Sequence, residues 1–238
     1  MVASGKGGTG KSTVSVLAGG RLAAAGRKVL LIELDSGLRS VDIIAGVYGK
    51  TVYDIQDVLC GRCAGEKAVV ESPVYPGLFV ISAPYEGGQV QAGALARLVQ
   101  AMSTGFDFIL LDTAAGMGAP LWAADPLASL VLLVLTPDPV ALRDGRIVAD
   151  ALFDTTKASV RLVMNRVSAA SFQNGAVRDL DECIDTVCAQ LIAVLPESAA
   201  VQQAAATGKA LGAETLAFKA VSNLAARICG QTPPLAVR

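Results

Sequence analysis

The sequence predicts one α/β domain built on a single doubly wound, mostly parallel sheet with helices on both faces. Three observations carry that prediction. Six short apolar runs are continuous rather than alternating, the pattern of strands covered on both sides. Ala- and Leu-rich stretches of helical length separate them. The chain has 238 residues, 53% hydrophobic and only 17% charged, so it can bury a large core without staples and is too apolar for a disordered tail.

In chain order, a short apolar start over 1–4 leads into a glycine-rich loop. A helix over 11–25 follows, and Gly26 is suited to the position just past its end. Strands are predicted over 28–33 (KVLLIE), 78–82 (LFVIS), 106–112 (FDFILLD), 129–136, 160–165 (VRLVMN) and 191–195 (LIAVL). Helices over 90–102, 140–153, 180–190, 198–207 and 214–229 complete the set. The alternation predicts right-handed crossovers, and ligands in such sheets bind beyond the carboxyl ends of the strands. No repeat or long linker interrupts the pattern, so 1–230 reads as one domain and 231–238 as a short tail.

Composition removes several functions. There is no histidine, which excludes Ser-His-Asp triads, Cys-His dyads and every histidine-containing metal site. The net charge is -1 and tryptophan occurs once, against a protein that coats nucleic acid or stacks single strands. The most apolar stretch, 129–135, falls far short of the ~20 residues a spanning helix needs. Five cysteines without a leader peptide point to a reducing cytoplasm.

Residues 5–12, GKGGTGKS, fit G-x-x-x-x-G-K-[ST] without mismatch. Gly5, Gly7, Gly8 and Gly10 let the backbone turn tightly and present its amides to phosphate oxygens, and the helix beginning near Lys11 adds its positive end. Lys11 is placed to bridge β- and γ-phosphates, the Ser12 hydroxyl to ligate Mg²⁺, and Thr13 to reach the α-phosphate. The competing reading is a glycine-rich turn that merely caps a helix. Lys6 reads either as a solvated loop residue or as a second phosphate cation.

Lys6-Gly7-Gly8-Thr9-Gly10-Lys11-Ser12-Thr13 resembles the deviant phosphate loop of the MinD/ParA family of ATPases, those P-loop NTPases in which an extra loop lysine reaches across an ATP-bound dimer. The resemblance implies that role for Lys6. It extends to residues 35–42, DSGLRSVD, which are similar to the first switch region of the family's MinD branch. There the family carries Asp-x-Asp, whereas this chain has Glu33-Leu34-Asp35; Asp35 is the candidate that orients the attacking water, and it could also cap a helix.

The strand over 106–112 ends in Asp112, the shape of a Walker B segment, which assigns Asp112 with Ser12 to Mg²⁺. Residues 113–116, TAAG, resemble the second switch, with Ala114 in place of proline and the Gly116 amide near the γ-phosphate. The resemblance also covers Thr136-Pro137-Asp138-Pro139 with Arg143-Asp144. It places Asn165 and Arg166, together with Pro196 and Glu197, at the adenine base. Their ordinary alternatives are a strand-end cap for Asn165 and a helix start for Pro196.

The resemblance spans nearly the full chain. It implies a cytoplasmic ATPase that forms an ATP-dependent homodimer, meets regulatory proteins at its switches and serves cell-division site placement. DNA partitioning, flagellar placement and a weakly hydrolysing adaptor are the alternatives. Where MinD proteins carry a basic amphipathic terminal helix, residues 230–238 (GQTPPLAVR) contain two prolines and one arginine, so no autonomous membrane anchor is expected. Cys60-Gly61-Arg62-Cys63 reads as reduced and incidental, the alternative being half of a metal or redox site.

Overall fold

The computed structural model describes residues 1–37, 39–173 and 175–235; Leu38 of the switch segment, Asn174, and Ala236, Val237 and Arg238 of the expected tail lie outside them. The strands are β1 (Val2–Ala3), β2 (Val29–Glu33), β3 (Val70–Glu71), β4 (Leu78–Ile81), β5 (Phe108–Asp112), β6 (Leu130–Leu135), β7 (Ser159–Val167) and β8 (Gln190–Pro196). They form one sheet in the order β3-β4-β2-β5-β1-β6-β7-β8. Every pairing is parallel except β3 with β4. β1 is central, with Val2 opposite both Asp112 of β5 and Leu132 of β6. The loop that leaves β1 therefore emerges at the carboxyl edge of the sheet, where strand order reverses.

The helices are α1 (Lys11–Ala24), α2 (Ser40–Ile44), α3 (Ile55–Leu59), α4 (Gly65–Ala68), α5 (Ala92–Met102), α6 (Ala119–Ala124), α7 (Pro139–Thr155), α8 (Leu180–Val187), α9 (Ala199–Thr207) and α10 (Leu216–Ile228). One face of the sheet buries Leu30, Ile32, Leu133 and Leu162 against Leu95 of α5, Leu121 of α6, Leu142 of α7 and Val187 of α8. The other buries Leu132, Val134 and Val163 against Val14 and Leu17 of α1 and Val221 and Leu224 of α10. Burial on both faces is why these strands read as unbroken apolar runs.

The helix expected over 180–190 ends at Val187. Cys188 takes a left-handed conformation (φ 54°) and closes it, and Gln190 already belongs to β8. Helices α2, α3, α4 and α6 and strand β3 were not expected; at two to six residues they are too short for a period to register. α3 carries its own start signal, because Asp54 and Asp57 form a reciprocal capping box.

Candidate nucleotide site

Two glycines of the loop between β1 and α1 sit in contacts that leave no room for a side chain. A Cβ on Gly5 would overlap the Asp144 carbonyl of α7, and one on Gly10 would overlap Asn165 Nδ2. Gly10 also has φ 89°, which favours glycine. Because Gly10 offers no capping side chain to α1, the first-turn amides are left for a ligand.

Three acidic side chains converge behind this loop. Asp112, at the end of β5, is fully buried; Ser12 Oγ donates to one carboxylate oxygen at 2.6 Å and Ser15 Oγ to the other at 2.8 Å. Burial raises its carboxyl above the ordinary range, opposed by the Lys11 ammonium and the two hydroxyls. Lys11 Nζ lies 3.9 Å from Asp112 and 3.7 Å from Asp35. The Ser12 hydroxyl and Asp112 carboxylate are hard oxygen donors side by side, and that donor set fits Mg²⁺. Among the described residues no cluster of three or more His, Cys, Asp or Glu could cage a metal, so such an ion would rely on phosphate and water for its remaining ligands.

The third acid is Glu33, at the end of β2. It is fully buried and accepts the Val41 amide at 3.1 Å and the Ala83 amide at 3.2 Å. Glu33, not Asp35, thus satisfies an amide at the start of α2. Asp35 turns to Lys11 instead.

Lys6 Nζ lies 3.1 Å from Asp138 Oδ1. Asp138 also accepts the Thr136 hydroxyl at 2.6 Å and the Ala141 amide at 2.9 Å, which caps α7. Burial alone would raise the Asp138 carboxyl; these three donors hold it below the ordinary range.

Two adjoining cavities run along this edge. One, of about 230 Å³, is lined by residues 6–13 with Glu33, Asp35, Arg39 and Ala115. The other, of about 480 Å³, is mostly apolar and is walled by Ile43 and Ile44 of α2, Val201 and Gln202 of α9, and Asn165 and Pro196. Gly10, Thr13, Ser40, Ile44 and Arg166 line both, so the pair forms one groove of phosphate-binding and base-binding proportions. Asn165 Nδ2 donates to the Thr9 carbonyl at 2.8 Å, tying β7 to the loop.

Two expected contacts fall elsewhere. The Gly116 amide donates to the Ser4 carbonyl at 2.8 Å and is not free, so Ala115 reaches the cavity in its place. Glu197 lies outside both cavities, because its amide pairs with Val167 and its side chain faces solvent; Ser198 and Gln202 line the groove instead. Sequence reasoning also missed Ser15, one turn after Lys11 on the inward face of α1. Arg39 was another omission. It is buried with φ 38°, 3.1 Å from Asp42 and 3.8 Å from the Tyr85 ring centre. All five cysteines are free thiols.

Residues 1–211 match the family described as the CobQ/CobB/MinD/ParA nucleotide binding domain. The chain is 31% identical over 243 residues to the septum site-determining protein MinD of Bacillus subtilis (strain 168), covering 100% of this chain and 91% of that one. A chain in the MinC:MinD cell division protein complex of Aquifex aeolicus superposes with a TM-score of 0.90 at 31% identity, covering 98% and 96% of the two chains. The septum site-determining protein MinD of Pyrococcus horikoshii OT3, complexed with Mg-ADP, shares the fold with a TM-score of 0.84 at 23% identity over 95% and 93%.

Proposed function

Since this chain belongs to the CobQ/CobB/MinD/ParA nucleotide-binding family and is of the MinD type, we propose that it is an ATP-hydrolysing dimerisation switch that serves septum placement. The observation that carries the reading is the Ser12–Asp112 pair at the foot of a glycine-lined cavity continuous with an apolar one of base size. The triphosphate lies on residues 5–13, and Lys11 exchanges its two carboxylate neighbours for β- and γ-phosphate oxygens. Ser12 and Asp112 would hold Mg²⁺, which would supply positive charge against the triphosphate. The base enters the larger cavity beside Asn165, Arg166 and Pro196.

Asp35, released from Lys11, orients water in line with the γ-phosphate. Lys6 leaves Asp138 and reaches the phosphates of a second copy, adding positive charge where the transition state is negative. Hydrolysis removes that charge partner and the copies part. Partner proteins act at the switch segments, and membrane recruitment proceeds through them.

Titration calorimetry with Mg·ATP, combined with sedimentation, tests this. Lys11→Ala is expected to lose nucleotide binding. Asp35→Ala is expected to bind ATP and remain dimeric because turnover stops. Oligomeric states indifferent to ATP in both variants would reject the switch.

A further inference from the structure

Glu33 is fully buried at the carboxyl end of β2, and both of its carboxylate oxygens have backbone partners. From the last position of β2 it reaches two separate segments, accepting the Val41 amide through Oε1 and the Ala83 amide through Oε2. The first bond joins the end of β2 to the start of α2, and Asp35 lies in the chain between them. The second ties the same carboxylate to the end of β4. A parallel fastening lies two residues beyond Asp35, where the Gly37 amide donates to the Pro84 carbonyl at 3.1 Å. Leu34, buried between Glu33 and Asp35, donates to the Asp112 carbonyl at 2.8 Å and so extends the sheet ladder towards the site. Asp35 is thereby fixed on both sides, with its carboxylate on the cavity wall 3.7 Å from Lys11.

We infer that Glu33 is a positioning residue for Asp35: its two oxygens clasp the Val41 and Ala83 amides and hold the loop bearing Asp35 against the phosphate cavity. This rests on the reading of Asp35 as the residue that orients water. Both clasps need an acceptor, and a carboxyl keeps acceptor lone pairs on both oxygens whether ionised or protonated. A glutamine can keep only one, because its amide nitrogen would face a backbone N–H. An aspartate is one methylene short of the same span.

Both Glu33 oxygens are taken by backbone amides and the proposed phosphate contacts come from residues 5–13, so Glu33→Gln is expected to keep the ATP dissociation constant within about threefold. Its single-turnover hydrolysis should fall roughly ten- to hundredfold, the scale set by a small misplacement of a reacting group. Amide exchange should rise over 34–37 and 39–41 and at 83, with the central strands unchanged. Glu33→Gln combined with Asp35→Ala should be no slower than Asp35→Ala alone, since the two act through one carboxylate. Where Glu33→Gln fails to fold, Glu33→Met, which keeps the length and removes both acceptors, carries the same expectation.

Wild-type turnover in Glu33→Gln, beside an inactive Asp35→Ala, would overturn the clasp alone. So would a turnover loss that merely tracks weakened ATP binding, or one that adds to Asp35→Ala. Wild-type turnover in Asp35→Ala would overturn the reading of Asp35 and the clasp with it.

Discussion

Glu33 has an ionisation signature of its own. Burial pushes its carboxyl up to about 7 against the pull of the Val41 and Ala83 amides, and Asp112 and Asp42 add to the push. An acid with a raised folded-state pKa binds its proton more tightly when folded. Its stabilising contribution is complete below the unfolded value near 4.5 and is lost as pH rises through about 7. The unfolding free energy of the wild type, less that of Glu33→Gln, should therefore grow by roughly 2–3 kcal/mol from pH 8 to pH 5. Denaturant titrations at the two pH values measure it, and a flat difference would contradict the burial argument. The phosphate-loop residues were legible in the sequence because their chemistry is local, a run of glycines with Lys11 and Ser12. Glu33 and Ser15 were not, because their partners are far along the chain: Ala83 is 50 residues from Glu33, and Asp112 is 97 from Ser15.

Helices α2 and α9 meet through two glycines. A Cβ on Gly208, just past α9 at φ 60°, would sit 2.6 Å from the Ile43 carbonyl and 3.4 Å from Gly46 Cα. Gly208→Ala combines an unfavourable backbone conformation with overlap against main chain, and is expected to cost about 2 kcal/mol. For a chain of this length that lowers the melting temperature by roughly 4–8 °C. Calorimetry checks it, and an unchanged transition would show that α2 yields freely. The longer elements were legible because unbroken apolar runs and helical periods persist over enough residues to register. α2 spans five residues and owes its place to Glu33, Gly46 and Gly208, none of which marks a helix in the sequence.

At the scale of the whole molecule, a ligand that binds only the folded chain raises its stability by mass action. Mg·ATP at a hundredfold excess over its dissociation constant should add about 2.7 kcal/mol, which is roughly 5–10 °C in melting temperature. Lys11→Ala should show no such shift, and a shift equal to the wild type's would remove Lys11 from the phosphate contacts. The class of the sheet was legible from its strands. Its order was not, because no local signal states that β1 lies between β5 and β6. α2 contributes to both cavities, with Ser40 and Ile44 on each and Ile43 on the larger one. On the proposed reading, a nucleotide spanning both cavities would press on this one short helix from the base end and from the phosphate end, so five residues would feel both what is bound and whether it has been cleaved.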